Sequence, residues 1–363
     1  GAAARPGDER CAILVPGMAN LHSHAFQRGM AGLAETRGPG ADSFWSWREV
    51  MYRFALEMTP DQVEAVAAQL YMEMLEAGFS RVGEFHYLHH DRDGRPYADI
   101  AEMAGRIAAA AAETGIGLTL LPVFYAHSSF AGAAPNDGQR RFINDINSFS
   151  RILEESRKAA LPLHRPVVGV APHSLRAVTP DELDAVAAMA GGGPVHIHIA
   201  EQVKEVEDCL AWSGARPVEW LLANAAVDAR WCLIHATHMN EAETAAMARS
   251  GAVAGLCPVT EANLGDGTFS APLFARYRGR FGVGSDSNVL IGVADELRQL
   301  EYSQRLAHRA RNVLAPPGGS NGRALFEAAL AGGAAALAAG PSRLETGAAA
   351  DFVSLDAAHP SLA

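Results

Sequence analysis

The 363-residue chain is 49% hydrophobic, 20% charged and 7% aromatic, a globular balance that excludes a disordered or fibrous protein. Its 30 Lys+Arg against 41 Asp+Glu leave a net charge of −11 with no basic block, so nucleic acid and anionic membrane surfaces are not expected partners. No apolar stretch is long enough to span a bilayer, and the first ten residues lack the core of a signal peptide. Four scattered cysteines (Cys11, Cys209, Cys232, Cys257) suit a reducing cytoplasm.

Along the chain, short apolar runs alternate with helical stretches. Strands are expected at Ala12–Pro16, Arg81–Phe85, Gly117–Phe124, Pro166–Ala171, Pro194–Ile199, Trp231–His235, Ala252–Cys257 and Arg280–Gly284. Several are apolar throughout, as strands covered on both faces are. Thr59-Pro60-Asp61 should start a helix that ends near Gly78, and Thr179-Pro180-Asp181 repeats the device. Asn240 and Glu243 have capping-box spacing, and a further helix is expected from about Ala294 to Arg311. The stretch Gly32–Met58 reads as a loop over the mouth of the fold, its Phe44, Trp45 and Trp47 serving local packing or substrate contact equally well.

Eight strands, each followed by a helix, predict an α/β protein with a (β/α)₈ barrel over residues 12–340. An open doubly wound sheet is the runner-up, but no glycine-rich phosphate motif follows the first strand. A large share of the 14 histidines fall at or just past the C-terminal ends of the expected strands, where barrels collect catalytic groups. His22 and His24 follow the first strand, His86 the second and His173 the fourth; His196 and His198 lie in the fifth, and His235 and His238 close the sixth. Residues i and i+2 of extended chain point to one side, so His22 and His24 can meet on one ion. Of the second HxH pair, His198 is the expected ligand and His196 a buried, hydrogen-bonded core residue. Asp286 could be a turn former after the eighth strand; beside three inward histidines it reads as the fourth ligand. Three nitrogens and one oxygen suit one divalent ion, Zn²⁺ first and Fe²⁺ as the alternative. Glu201, three residues after His198, is placed as a proton shuttle and His235 as a second polar group beside it.

The segments PGMANLHSHAFQRGMAG, HIHIAEQ, LIHATH and GSDS, in this order, resemble the amidohydrolase superfamily across nearly the whole barrel. With no lysine after the fourth strand, where Ala171-Pro172-His173-Ser174 stands, the resemblance implies a mononuclear deaminase. It implies metal ligation by His22, His24, His198 and Asp286, and proton handling by Glu201, His235 and Asp286. Within the superfamily, HSHAFQRGMAGLAE, DSFWSWREVMYR, EFHYLHHD, GLTLLPVFY, HSLRAVTP, PVHIHIAEQ and PVTEANLGDG are similar to the N-formimino-L-glutamate deiminases of histidine degradation. That resemblance implies hydrolysis of a formimino C=N to N-formyl-L-glutamate and ammonia, with Gln27, Tyr87, His173 and Arg176 on the substrate. In the implied mechanism Asp286 takes a proton from the attacking water, Glu201 protonates a nitrogen, and His235 stabilises charge. A guanidinium at Arg176 suits a small molecule with two carboxylates, though a structural ion pair is the plainer role.

Two features depart from the family pattern. The small β-sandwich built from both chain ends is expected to be truncated, with remnants at residues 1–11 and 341–363; this bears on stability and on a homodimer contact rather than on the metal site. Asn288 stands where a histidine is expected. The rival readings are another mononuclear deaminase, acting on guanine, cytosine or an adenosine derivative, and a non-catalytic barrel that binds or assembles.

Overall fold

The computed structural model describes residues 5–362. Its strands are β1 (Ile13–Pro16), β2 (Met18–Ser23), β3 (Phe79–His86), β4 (Gly117–Phe124), β5 (Val167–Val168), β6 (Ala171–Pro172), β7 (Val195–Ile199), β8 (Trp231–His235), β9 (Val253–Leu256), β10 (Arg280–Val283) and β11 (Phe352–Leu355). β2 to β5 form one parallel sheet, with β6 also on β4, and β7 to β10 form another. Bridges Val170–Val195 and Ser174–His198 join them on one side and Ser23–Asp286 on the other. The ring closes as an eight-stranded barrel in which β5 and β6 together are the fourth strand. That strand is broken because Pro166, Gly169 and Pro172 weaken its ladder.

The strand expected at Ala12–Pro16 is not the first barrel strand. As β1 it pairs antiparallel with β11 from the far end of the chain, outside the barrel. Gly17 separates it from β2, since a Cβ there would lie 2.3 Å from Ser80 Oγ. Barrel strand one is therefore β2, buried along its whole length, and His22 lies inside it rather than after it.

The caps follow the spacing. Thr59 with Gln62, Thr179 with Glu182 and Asn240 with Glu243 each make the reciprocal pair of bonds of a capping box. Gly78, at φ +95°, turns the first of these helices into β3. The late helix is Val293–His308, ended by Arg309 in the left-handed region. Gly32–Met58 is not all loop. It contains a 14-residue helix, Phe44–Glu57, capped by Ser43 and Ser46, a polar start that the aromatic cluster obscured.

The helix Asn321–Ala336 closes the barrel floor. Leu337 beyond it packs with Ala19, Leu21, Cys232, Ile234, Val253 and Cys257, and its carbonyl accepts from Thr119 Oγ1. His196 points down to this floor, its Nε2 2.9 Å from the Ala336 carbonyl, the core role expected of it. Helix and β10 touch backbone to backbone: a Cβ on Gly332 would lie 1.8 Å from Phe281 O. Because neither backbone can give way without opening the floor, Gly332→Ala should cost about 1–3 kcal/mol or more. Chemical denaturation checks this, and an unchanged midpoint would contradict the packing.

Candidate metal and active site

Four side chains from three parts of the ring converge at the C-terminal end of the barrel. His22 Nε2 and His24 Nε2 lie 3.4 and 3.3 Å from Asp286 Oδ1, and His198 Nε2 lies 3.0 Å from His22 Nε2. All four are buried, with donor atoms within 4.8 Å of one another. The ring orientations suit a cation. His24 Nδ1 is 2.9 Å from the Phe85 carbonyl and His198 Nδ1 3.1 Å from the His173 carbonyl. A nitrogen facing a carbonyl must donate, which leaves Nε2 bare and aimed inward. Burial holds His22 down to about 3, and burial with neighbouring imidazoles holds His198 well below the usual range, so both are neutral donors. Burial alone would raise Asp286, but the imidazoles of His22 and His24 beside it outweigh that and hold its carboxyl well below the usual range. Bare imidazole lone pairs facing each other beside a carboxylate repel one another until a positive charge sits between them, and the set fits a divalent ion.

The backbone around the cluster is strained and stitched. Ala200, His235, Asp286 and Asn288 all have positive φ, a conformation that non-glycine residues hold only when their surroundings enforce it. Asn288 supplies part of that enforcement. Its Nδ2 donates to the His24 and Asp286 carbonyls and to Ser23 Oγ, tying β2 to the turn after β10. The asparagine that departs from the family pattern thus does a backbone job here.

Glu84 in β3 accepts from Ala25 N at 2.6 Å and from Tyr71 OH at 3.2 Å, holding the turn after His24. Burial pushes it up to about 7, so the fold prefers the neutral acid. Its contribution is full below the ordinary carboxylate range and is lost as pH rises through 7. In chelated protein, the stability of wild type relative to Glu84→Gln should therefore fall between pH 4 and 8, by on the order of 3 kcal/mol. Urea titrations at both pH values test this; a gap that widens with pH would reverse the sign.

Beside the cluster stands a second group. His235 Nδ1 is 3.2 Å from Glu261 Oε1, while its Nε2 is 3.7 Å from Glu201 Oε1 and 3.8 Å from Asp286 Oδ2. Burial alone would lower His235, but Glu201, Glu261 and Asp286 together raise it to about 10. Burial pushes Glu201 up to about 7, against the pull of His235. Asp266, which no motif argument singled out, joins them; burial and Glu201 push it up to about 9.

A cavity over the cluster is lined by His24, His198, Glu201, His235 and Asp286 on its floor, and by Gln27, Tyr87, His173 and Arg176 on its walls. Of the residues assigned to the site from the sequence, all but His22 therefore face one space; His22 is fully buried among the other three ligands. Gln27 Nε2 donates to Tyr87 OH at 2.8 Å, and burial with the Arg176 charge keeps His173 neutral. Arg176 is buried 3.9 Å from Glu205 Oε2, and its Nε has no hydrogen-bond partner among the described residues. The ion pair weighed for it exists, loosely, alongside its exposure to the cavity.

Sequence reasoning found one further wall only in part. Phe44 and Trp47, weighed for substrate contact, line the cavity from the Phe44–Glu57 helix together with Arg48, Met51 and Tyr52, which it missed. Their spacing of i, i+3, i+4, i+7 and i+8 is a helical stripe, a signal that was readable. Trp45 does not line the cavity; Arg48 Cζ lies 4.6 Å from its ring centroid, so it holds the arginine. His86 ends β3, stays outside the cavity, and has an Nε2 without a partner among the described residues.

Residues 13–363 match the amidohydrolase family. The chain belongs to that family. It is 56% identical over 352 residues to a formimidoylglutamate deiminase of Pseudomonas aeruginosa, covering 96% of this chain and 78% of that protein. Identity to a 5-methylthioadenosine/S-adenosylhomocysteine deaminase of Natronomonas pharaonis is 26%, over 97% of this chain and 75% of the relative. Among solved structures, an amidohydrolase from Brucella melitensis is 69% identical with a TM-score of 0.96, covering 99% of this chain and 80% of that one. A zinc-bound adenosine deaminase from Xanthomonas campestris, 23% identical with a TM-score of 0.78 over 96% of this chain and 73% of its own, shares the fold. No helix among the described residues is long and apolar enough to cross a membrane.

Proposed function

We propose that the chain is a metal-dependent deiminase that hydrolyses the formimino C=N of N-formimino-L-glutamate, giving N-formyl-L-glutamate and ammonia. The observation that carries the reading is Arg176, a buried guanidinium that lines the same cavity as the metal-type cluster and whose Nε has no hydrogen-bond partner among the described residues. A buried cation without a full complement of acceptors is a site for an anion, and the substrate carries two carboxylates. Arg48, which also lines the cavity, offers a second positive charge. The 56% identity to the Pseudomonas deiminase points the same way.

On this reading His22, His24, His198 and Asp286 hold one divalent ion, Zn²⁺ in the first instance. Such an ion supplies Lewis acidity that makes a water nucleophilic near neutral pH. The chain's own residues do the rest. Asp286 Oδ2 accepts the proton released as water attacks the formimino carbon. Glu201, neutral when burial governs it, gives its proton to the imine nitrogen; the proton held by Asp286 then passes to the same nitrogen, the C–N bond breaks to release ammonia, and the hydroxyl proton lost as the formyl carbonyl forms returns to Glu201. His235, held at Nδ1 by Glu261, donates from Nε2 to charge developing at the carbon. Gln27, Tyr87 and His173 orient the substrate between the two arginines.

We further propose that Ile13–Pro16 with Phe352–Leu355 is this chain's portion of a small β domain beside the barrel, which then begins at Met18 rather than residue 12. The protein is placed in the cytoplasm, where its four free cysteines stay reduced.

Ammonia release by zinc-loaded and iron-loaded protein tests the function, with guanine, cytosine, adenosine and 5-methylthioadenosine beside N-formimino-L-glutamate. Rapid turnover of the formimino compound alone, abolished by chelation and restored by one equivalent of metal, is expected. Turnover of a purine in its place would overturn the substrate assignment.

A further inference from the structure

The cluster beside the primary set has the donors of a second ion site. We propose that Glu201, His235 and Asp266 bind a second divalent cation, and that its binding inhibits the enzyme. The three side chains are buried, and each offers a donor atom within 4.8 Å of the other two. Asp286 faces both sites, with Oδ1 toward His22 and His24 and Oδ2 3.8 Å from His235 Nε2, so one carboxylate can bridge two ions.

Two features go beyond a cluster of acids. The first is the orientation of His235. Its Nδ1 faces the Glu261 carboxylate at 3.2 Å, and Glu261 Oε1 is itself fixed by Cys257 N at 2.9 Å. Donation at Nδ1 aims Nε2 at Glu201, and once a cation displaces its proton that nitrogen completes the carboxylate–histidine–metal arrangement that orients ligands in metal sites. The second is Asp266. Gln202 donates to its Oδ1, while its Oδ2 is buried without a hydrogen-bond partner among the described residues. The carbonyl of Asp266 accepts from His238 Nε2 at 2.8 Å and its N–H donates to Glu261 O at 2.9 Å, so the residue that carries this oxygen is pinned in place. A pinned, buried, unpartnered carboxyl oxygen costs free energy that a cation, displacing the proton held there, would recover.

Two carboxylates and one imidazole suit Zn²⁺. The neighbouring grouping of His235, Cys257 and Asp286 is the weaker host, because it offers only two donors beyond Asp286, already a ligand of the first ion, against three in the proposed site. A cation on Glu201 and His235 blocks the two groups assigned to proton handling, so occupancy must stop turnover. The inference rests on the proposed function in taking Asp286 as a ligand of the first ion and, for the inhibition, in the roles of Glu201 and His235.

Equilibrium dialysis of the full chain against Zn²⁺ tests it through bound metal rather than turnover. Wild type should bind two ions per chain, and Asp266→Asn one. Glu201→Gln, which removes a different donor, should also bind one. Glu261→Gln should retain the first ion and weaken the second by about 10–100-fold. In wild type, Zn²⁺ beyond one equivalent should inhibit ammonia release, and the midpoint should rise at least about tenfold in Asp266→Asn. One ion in wild type, or two in both donor variants, would overturn the second site. No ion in any of them would overturn the primary set instead.

Discussion

Glu201→Gln is expected to lower kcat by about 10²–10⁴ while the protein keeps its fold and one ion per chain. Gln has the same shape and fills the same buried place but can neither give nor take a proton. Glu201 sits where both matter: it lines the cavity, its Oε1 is 3.7 Å from His235 Nε2, and Ala200 before it is held at φ +53°. Burial is the main force on it, and by disfavouring the charged form it keeps a proton available near neutral pH. The sign of the pH effect follows. An acid whose pKa is raised is competent below that pKa, so wild-type kcat should fall as pH rises through the Glu201 titration, and the variant should lack that limb. Substrate binding should change little, because Arg176 and Arg48 are untouched. A fall of less than tenfold, or loss of the ion, would remove Glu201 from the chemistry.

That side chain was legible because its neighbour in sequence carried a metal-type pattern. The same holds for His22, His24 and Asp286, which face one point because extended chain alternates and barrel strands end together. What failed was any inference from an element the sequence disguised. Ile13–Pro16 has the composition of a barrel strand, yet its partner, Phe352–Leu355, lies more than three hundred residues away, and no local pattern reports that pairing. The Phe44–Glu57 helix is aromatic on its cavity side and follows a glycine-rich stretch, so it read as loop, and Arg48 and Tyr52 were lost with it. Asp266 was invisible for another reason. Its position depends on Gln202, His238 and Glu261 from three separate segments, a meeting that only the closed ring creates.

Arg176→Met is expected to lower kcat/KM for N-formimino-L-glutamate by about 10²–10³ while metal binding stays at the wild-type stoichiometry. Met keeps much of the apolar volume and removes the charge, so the cavity should persist and lose its anion contact. Truncating one partner of a buried charge pair costs on the order of 2–5 kcal/mol, which sets the size of the effect. The competing account is that Arg176 serves Glu205, whose Oε2 is 3.9 Å away and has no hydrogen-bond partner of its own among the described residues. The two accounts differ in what they leave behind. If Arg176 only neutralises Glu205, its loss strands a buried carboxylate, the melting temperature drops, and the surviving folded protein turns over normally. If it binds the substrate carboxylate, the loss falls on KM and kcat of well-folded, metal-loaded protein. Arg176→Lys separates them further, because a lysine can still neutralise Glu205 as a point charge yet cannot reproduce a bidentate fork. Restored melting temperature with catalysis still impaired in that variant is the result expected of a substrate clamp. Full recovery of kcat/KM by lysine would mean that charge near Glu205, and not recognition of a carboxylate, is what the arginine supplies.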